Sequence, residues 1–214
     1  MLMRSPLARD RRRPEGFIQP CQPTLARRIP TGGSWVHELK YDGFRMIVRK
    51  TDGEVRVWSR YGRNRRSDFT AIEAAVAALD AEELLIDGEA VLFNADGIPD
   101  FNGLLTNKGQ RDACLLAFDL IEVDGLDLRP LPLLARRTRL DGLLAEAPPG
   151  LRFSEHMEGA DGDALFTHAC RMGLEGIVSK RADRGYRSGR CPHWLKIKNP
   201  TYQRAVGEGT SSQS

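Results

Sequence analysis

The segment SWVHELKYDGFRMIVRKTDGEVRVWSR, residues 34–60, contains the strongest structural signal in the chain. It contains three short runs, SWVHELK, FRMIVRK and EVRVWSR, which are rich in the β-branched and aromatic residues typical of strands. Between the last two runs, Asp52-Gly53 is a dipeptide that favours a tight hairpin turn. The segment therefore predicts three short strands, of which the last two are antiparallel neighbours.

The rest of the chain adds strand-like and helix-like segments in an irregular order. Further strands are predicted at residues 83–97 (strands around a bend), 113–125, 151–157, 175–181 and 193–198. Helices are predicted at residues 68–79, 131–145 and 163–172, the first capped by Ser67 or Asp68 and the last stopped by Gly173. Because a doubly wound sheet would show regular strand–helix alternation, we predict an α+β fold with largely antiparallel sheets and flanking helices.

Composition divides the 214 residues into three parts. Residues 1–16, rich in Arg and Pro, are predicted to form a basic flexible arm. Residues 17–200 are predicted to form one folded domain, which is a suitable length for a single core. Residues 201–214, rich in Gly and Ser, are predicted to form a disordered tail.

Charge and cysteine usage narrow the functional class. The net charge of +3 is too small to establish a nucleic-acid partner, and the excess of arginine fits either codon bias or phosphate contacts. The four cysteines lack C-x-x-C spacing, so we expect no zinc site. No apolar run is long enough to span a bilayer, so we expect a cytoplasmic protein without a membrane partner. Of the 32 basic residues only six are lysines: Lys40, Lys50, Lys108, Lys180, Lys196 and Lys198.

The motifs that could carry chemistry follow one another along the folded region. No glycine-rich phosphate loop of the G-x-x-x-x-G-K-[ST] or G-x-G-x-x-G type follows any predicted strand. The chain instead carries ELKYDGFR (38–45), SRYG (59–62), DGE (87–89), FD (118–119), EGIVSK (175–180) and WLKIK (194–198). A lysine at a strand end followed by a tight Asp-Gly turn, as in the first of these, is the most distinctive arrangement.

The order and spacing of these motifs resemble the covalent nucleotidyltransferases, which comprise ATP-dependent DNA ligases, RNA ligases and mRNA capping enzymes. K-x-D-G alone is a weak signal, whereas all the motifs in order are a specific one. The resemblance covers roughly residues 17–200 and is greatest to the ligase module of bacterial end-joining proteins. It implies that residues 17–200 are a ligase adenylation domain with a nucleotidyltransferase, ATP-grasp-like fold.

The resemblance implies that Lys40 is the catalytic nucleophile, which attacks the α-phosphate of ATP and forms a lysyl–AMP phosphoramidate. An unperturbed lysine has a pKa of about 10.4, so little of it is neutral near pH 7. Burial and nearby cations lower that pKa, and Arg45, Lys180 and Lys196 would be such cations if the strands converge. Arginine could not replace Lys40, because it stays protonated in proteins. Taken alone, Lys40 could equally be a surface lysine.

The resemblance assigns a larger set of residues to the binding of ATP or AMP: Glu38, Arg45, Arg60, Glu89, Phe118, Lys180, Lys196 and Lys198. Glu38 would lie near the adenine edge, and Phe118 would stack on the adenine unless it is an ordinary core residue. Arg45 and Arg60 would contact ribose or phosphate as fork donors.

Two glutamates, Glu89 and Glu175, would bind the ribose and a divalent cation, and Asp87 and Asp119 are weaker metal candidates. The chemical reason is that Mg²⁺ held by carboxylates offsets the negative charge of phosphoryl transfer. We therefore expect ATP and Mg²⁺ as cofactors. Lysines 196 and 198 would contact the α-phosphate from one face of a strand, although a two-lysine edge strand could also serve only solubility.

The implied reaction is ATP-dependent DNA ligation in repair or recombination. AMP passes from ATP to Lys40 and then to a 5′-phosphate at a nick or break in duplex DNA, after which a 3′-hydroxyl displaces AMP. The run RYGRNRR, residues 60–66, and the basic arm could hold the phosphates of the broken strand. We expect this use at the nucleoid in a bacterial cytoplasm.

Full ligases continue after the WLKIK-like strand into an oligonucleotide-binding (OB) barrel. Only fourteen residues follow Pro200, so we expect no C-terminal OB barrel. The chain would then self-adenylylate weakly, use a barrel on a separate chain or an end-joining partner protein, or bind nucleotide or nicks without turnover. RNA ligase or capping activity is the alternative enzymatic interpretation.

Overall fold

The structure, a computed structural model, describes residues 16–159 and 161–203. The predicted arm lies outside this part except for Gly16, and so does the predicted tail except for residues 201–203. Tyr202 donates a hydrogen bond to Asp42 Oδ2 at 2.7 Å, so the segment after the last strand returns to the turn that follows Lys40.

Eleven strands and five helices form within the described ranges. The strands are β1 (Cys21–Leu25), β2 (Trp35–Lys40), β3 (Phe44–Thr51), β4 (Glu54–Ser59), β5 (Leu84–Val91), β6 (Cys114–Val123), β7 (Leu126–Asp127), β8 (Leu151–Phe153), β9 (Met157–Glu158), β10 (Gly176–Arg181) and β11 (Gly189–Lys198). The helices are α1 (Thr70–Ala77), α2 (Phe101–Leu104), α3 (Asn107–Asp112), α4 (Leu133–Leu144) and α5 (Gly162–Arg171).

The first sheet has the strand order β1-β11-β10-β2-β9, and only β1 and β11 pair in parallel in it. The register sets Lys40 opposite Gly176 and Glu38 opposite Val178. Gly176 has a φ of 135°, and a Cβ added there would lie 2.0 Å from the carbonyl oxygen of Ile197. Only glycine fits this close approach, which holds the start of β10 next to the end of β11.

The second sheet has the strand order β4-β3-β5-β6-β7, with β8 paired in parallel to β6. The hairpin predicted between β3 and β4 is confirmed, and Asp52 and Gly53 adopt the positive φ values of 50° and 74° that such a turn needs. Arg45 on β3 lies opposite Glu89 on β5. Because side chains alternate along a strand, Asp87 points to the same face as Glu89.

Three hydrophobic clusters hold the layers together. The first packs α1 and α4 on the second sheet and includes Val48 and Leu140. The second fills the space between the two sheets and includes Ile47 and Trp194. The third packs α5 on the other face of the first sheet, around Ile177. Neighbouring residues of β3 thus serve different layers, as the two-residue period of a strand requires.

The predicted α+β fold with largely antiparallel sheets is confirmed, and no barrel closes within the described residues. The predicted cap of the first helix was wrong: α1 begins at Thr70 after Phe69, without a side-chain cap, because Asp68 pairs with Arg65 at 2.5 Å. The segment predicted as one strand at 151–157 splits into β8 and β9, which join different sheets.

Four short elements were not predicted. β1 lies before residue 34, where no strand was predicted, and its five residues include Pro23. β7 has only two residues and follows the turn at Asp124-Gly125. Helices α2 and α3 have four and six residues, and each is capped by a side chain, Asp100 and Thr106 respectively. No helix in residues 16–159 or 161–203 combines the length and apolar character needed to cross a membrane.

Candidate functional site

A cleft of about 900 Å³ opens between the two sheets. Its walls come from β2, β10 and β11 of the first sheet and from β3, β5, β6 and the turn after β4 of the second. The cleft is lined by all ten residues that the sequence placed at the site: Glu38, Lys40, Arg45, Arg60, Glu89, Phe118, Glu175, Lys180, Lys196 and Lys198. Residues up to 160 positions apart in the chain therefore meet in one place.

Lys40 ends β2 inside this cleft, with 22% of its side chain exposed. Its Nζ donates a hydrogen bond of 2.6 Å to Glu175 Oε2. Glu175 also forms an ion pair with Lys198, whose Nζ lies 3.1 Å from Oε1. Burial alone would raise the pKa of Glu175, but the charges and hydrogen bonds of Lys40 and Lys198 lower it. Glu175 is therefore ionised, and it holds the Lys40 side chain in place next to the Asp42-Gly43 turn.

Lys196 is a cation whose charge interacts with that of Lys40. Burial lowers the pKa of Lys196, and the charges of Lys40 and Lys198 lower it further. Of the other two expected neighbours, Lys180 pairs with Glu38 and Arg45 pairs with Asp87. The lysines of β11, rather than Lys180 and Arg45, thus make the region around Lys40 electropositive.

Glu89 is partly exposed in the opposite wall, and its side-chain carboxylate has no hydrogen-bond partner among the described residues. Burial raises its pKa to about 7, although the charges of Lys40 and Arg45 lower it in part. Although these cations influence the Glu89 carboxylate, neither forms an ion pair with it. The carboxylate can therefore bind an added cation.

The pair Glu89 and Glu175 fits a divalent cation of the Mg²⁺ type. The described residues contain no cluster of three or more His, Cys, Asp or Glu side chains that could enclose a metal. Mg²⁺ does not need such a cage, since it is usually held by one or two carboxylates together with substrate phosphates and water. Glu89 and Glu175 face the same cleft from different sheets and could supply those carboxylates.

Replacing Glu89 with glutamine is expected to flatten the pH dependence of folding stability. The raised pKa means that the folded protein holds this proton more tightly than the unfolded chain does. The resulting stabilisation is complete below about pH 4.5 and is lost as the pH rises through about 7. Urea unfolding with a chelator present should therefore show a shallower loss of stability in Glu89→Gln over this range. The exposed-site variant Glu82→Gln should match the wild type, and equal slopes for all three proteins would contradict the assignment.

The inner end of the cleft is a buried charge cluster around Glu38. Arg137 Nη1 donates to Glu38 Oε1 at 2.8 Å, and Lys180 Nζ lies 2.7 Å from the same oxygen. Ser154 Oγ lies 3.4 Å from the other carboxylate oxygen. Lys180 is close enough to pair with Glu38 but is not aligned for a hydrogen bond, so its Nζ stays unsatisfied. Burial lowers the pKa of Lys180 to about 8, while Glu38 opposes this effect.

Two aromatic rings cover this cluster. Phe118 packs edge-on against Trp194, with 5.9 Å between ring centroids. Lys180 Nζ lies 4.1 Å from the centroid of each ring, and Arg45 Cζ lies 4.4 Å from that of Phe118. Phe118 is a buried core residue that also forms part of the cleft wall, so its role in the core is confirmed and stacking on adenine stays a prediction. Trp194 was not assigned a role, although its spacing from Lys196 and Lys198 places all three on one face of β11.

The weaker metal candidates require a correction, because Asp87 and Asp119 are fully buried and do not line the cleft. Asp87 accepts hydrogen bonds from Arg45 Nε at 2.5 Å, Arg45 Nη2 at 2.8 Å and the Tyr186 hydroxyl at 2.6 Å. Asp119 accepts two hydrogen bonds of 2.7 Å from Arg136. These carboxylates are saturated within the protein. The fork of Arg45 is also occupied by Asp87, which leaves Nη1 as the nitrogen available to a ligand.

The buried arginines of α4 were missed, because this segment was predicted only to be a helix. Arg136 and Arg137 are fully buried, with Leu133 and Leu140 on the same side of the helix. Their spacing from these leucines, three to four residues, is that of a single helix face. The sequence signal was therefore present: the arginines fall on the apolar stripe.

Comparisons with known proteins agree on one family. The family model described as "ATP dependent DNA ligase domain" matches residues 21–198. The multifunctional non-homologous end joining protein LigD of Pseudomonas aeruginosa is 39% identical over 184 residues, covering 82% of this chain and 22% of that protein. The SPbeta prophage-derived DNA ligase-like protein LigB of Bacillus subtilis is 30% identical, covering 82% of this chain and 65% of its own length. The chain thus spans less than a quarter of the length of LigD relatives.

Solved structures show the same fold. The mycobacterial DNA ligase D complexed with ATP and MES matches with a TM-score of 0.71 and 31% identity, covering 85% of this chain and 60% of that one. The ligase domain of LigD from M. tuberculosis matches with a TM-score of 0.74 and 30% identity, covering 85% of this chain and 59% of that one. These matches confirm the predicted nucleotidyltransferase fold.

Proposed function

Because the chain belongs to the ATP-dependent DNA ligase family, we propose that Lys40 forms a covalent bond to AMP and delivers it to a break in DNA. Residues 17–200 would then constitute the adenylation domain. The single observation that supports this most strongly is the cleft itself, in which Lys40 and the nine other predicted site residues converge. Such convergence is not required by packing, since many of these side chains are charged.

In the first step, the lone pair of Lys40 Nζ forms a bond to the α-phosphorus of ATP. Nζ first loses a proton to water, which exposes this lone pair. As the new bond forms, the bond from the phosphorus to the bridging oxygen breaks and pyrophosphate leaves with its electrons, and the nitrogen then loses a second proton to water. In the structure Nζ is held by Glu175 at 2.6 Å, so this ion pair must open before the attack. Glu175 would release Nζ on binding the divalent cation together with Glu89. The cation would supply neutralisation of phosphate charge.

The two ends of the cleft suit the two ends of the nucleotide. Phe118 and Trp194 offer apolar ring surface at the inner end, where Glu38 is the nearby acceptor for an exocyclic amine. Lys196 and Lys198 lie beside Lys40 at the outer end and would bind phosphate oxygens. We place the adenine at the inner end, where its ring would contact aromatic rings. We place the phosphates at Lys40, where their negative charge would lie next to lysines.

The later steps would take place at the open rim. AMP passes from Lys40 to a 5′-phosphate at a nick or break in duplex DNA, and attack by a 3′-hydroxyl seals the strand and releases AMP. Arg60 and Arg63 are exposed at this rim and could bind the backbone of the broken strand. An end-joining partner protein would complete the assembly at the bacterial nucleoid.

Incubation with α-labelled ATP and Mg²⁺ tests the proposal directly. We expect label to stay on the protein through a denaturing gel and to appear with ATP but not GTP. Label from GTP alone would point to capping chemistry. A folded protein that takes up no label from either nucleotide would refute adenylylation. Sealing of a nick that already carries AMP then tests the last step separately.

Replacing Lys196 with methionine is expected to slow adenylylation by about 10²-fold, because one cation that stabilises the charge developing on the phosphates is lost. Methionine keeps most of the apolar volume of the lysine side chain. The rate should be measured as label incorporated per unit time at saturating ATP. Lys108→Met is the matched control, since the Lys108 side chain is 88% exposed and does not line the cleft, and it should retain the wild-type rate. A Lys196→Met protein as fast as this control would contradict the prediction.

A further inference from the structure

The turn after β4 presents an aromatic ring that the proposed chemistry does not use. Tyr61 is 80% exposed, more than any other large hydrophobic residue among the described ones. It lies on the rim of the cleft that contains Lys40. A single exposed apolar residue needs no explanation, but an aromatic ring held at the mouth of a reaction cleft invites one.

The turn holds this ring in a fixed place. Ser59 N donates to the carbonyl of Arg63 at 2.9 Å, Gly62 N donates to the carbonyl of Ser59 at 2.8 Å, and Arg63 N donates to Ser59 Oγ at 3.2 Å. Gly62 supplies a φ of 79°, and Arg60 N donates to the carbonyl of Arg45 at 3.1 Å. Hydrogen bonds thus connect the residues of the turn to one another and to β3. Tyr61 is therefore exposed in a well-ordered turn.

The charges around the ring are unpaired. Arg60 Cζ lies 5.2 Å from the ring centroid of Tyr61, and both Arg60 and Arg63 are exposed. Neither arginine forms an ion pair within residues 16–159 and 161–203, although Arg60 has a long contact of 3.4 Å to Gln22. An accessible ring flanked by free guanidinium groups is the arrangement that binds single-stranded nucleic acid, in which bases stack on rings and phosphates meet cations.

We propose that Tyr61 stacks on an unpaired nucleobase at a DNA break, next to the phosphate that enters the cleft. The proposal rests on the function proposed above and adds a residue that holds the DNA end. The adenine of ATP is a poorer partner, because Phe118 and Trp194 already offer ring surface at the inner end of the cleft. A base beside the 5′-phosphate would lie at the rim when that phosphate reaches Lys40.

A double-mutant cycle between the ring and the base tests this contact. Fluorescence anisotropy would measure the affinity of the full chain for nicked duplexes that carry a frayed base, or an abasic nucleotide, on either side of the nick. Tyr61→Ala should weaken binding of the base-containing duplex by about five- to a hundredfold at fixed salt. It should leave binding of the matching abasic duplex unchanged, and Tyr61→Phe should restore the wild-type affinity.

Leu126→Ala is the matched control, because Leu126 is also exposed but lies outside the cleft, on β7. It should bind both duplexes as the wild type does. Equal losses on base-containing and abasic DNA would overturn the stacking proposal, and so would a loss of ATP affinity in Tyr61→Ala without DNA. Anisotropy does not depend on adenylylation. A wild-type protein that takes up AMP and binds nicks, yet shows no coupling, would therefore refute only this contact and leave the proposed function intact.

Discussion

Replacing Lys40 with alanine is expected to reduce covalent AMP incorporation to background. The reason is chemical rather than structural, since the reaction needs an amine that can lose a proton and form a bond to phosphorus. Lys40→Arg should fail as completely as Lys40→Ala, because a guanidinium keeps its charge in proteins. The Lys40→Arg variant keeps the positive charge and can still pair with Glu175. If it nevertheless takes up no AMP, the reaction requires the nucleophilic amine and not only the charge.

Intact-protein mass spectrometry after incubation with ATP and Mg²⁺ is the appropriate measurement. The wild type should gain the mass of one AMP, and fragmentation should locate it on Lys40. Lys50→Ala is a suitable control, because Lys50 lies on β3 with its Nζ bonded to the carbonyls of Ala77 and Leu79, outside the cleft. A labelled Lys40→Ala protein, or an adduct on another lysine, would refute the assignment of the nucleophile. Thermal unfolding of each variant would show that loss of label is not loss of fold.

Replacing Asp119 with alanine is expected to destabilise the folded protein by about 3–5 kcal/mol. Asp119 and Arg136 have no exposed side-chain surface, and two hydrogen bonds of 2.7 Å join them. Removing the carboxylate leaves a guanidinium buried without its counter-charge, and Arg136 keeps only the carbonyls of Leu131 and Arg184. The effect is large because burial of an unpaired charge costs more than the pair itself contributes.

Denaturant unfolding with a chelator present measures this effect and separates it from metal binding. The double variant Asp119→Leu with Arg136→Met should recover most of the loss, since it removes both charges and keeps apolar volume. Asp183→Ala, which breaks the exposed pair with Arg181, should lower stability far less than Asp119→Ala does, because solvent screens the exposed charges. If Asp119→Ala were as stable as Asp183→Ala, the buried pair would not have the structural role given to it here.

The sequence predicted most of the fold, because the strands that form the site have strong local signals. The runs around Lys40 and Glu89 combine β-branched residues with tight turns, and their hydrophobic residues alternate between two layers. The motif order also predicted which side chains meet, as the shared cleft demonstrates. Where motif residues lie at strand ends or on one face of a strand, their positions in the sequence were sufficient to predict that they lie in the same cleft.

The remainder depends on contacts that are distant in sequence. β1 is an edge strand that pairs in parallel with β11 about 170 residues later, and no local pattern in CQPTL signals that partner. Asp87 is occupied by hydrogen bonds from Arg45 and from the Tyr186 hydroxyl, so neither Asp87 nor Arg45 could be assigned alone. Tyr186 lies in a segment without regular structure, which the sequence pattern does not place. A charged residue near a motif cannot be assigned to ligand or to core until its counter-charge is located.

The division of the strands between the sheets has a consequence for biosynthesis. Strands β3 to β7, five of the six strands of the second sheet, follow one another from residue 44 to residue 127, and β8 follows at residue 151, so this sheet can assemble on a partly made polypeptide. The strand that carries Lys40 pairs with β10, and β1 pairs with β11, both of which are made after every strand of the second sheet. The Lys40 amine therefore reaches the Glu175 carboxylate only after most of residues 16–203 have left the ribosome, and products that end before Glu175 cannot form the site proposed for ATP.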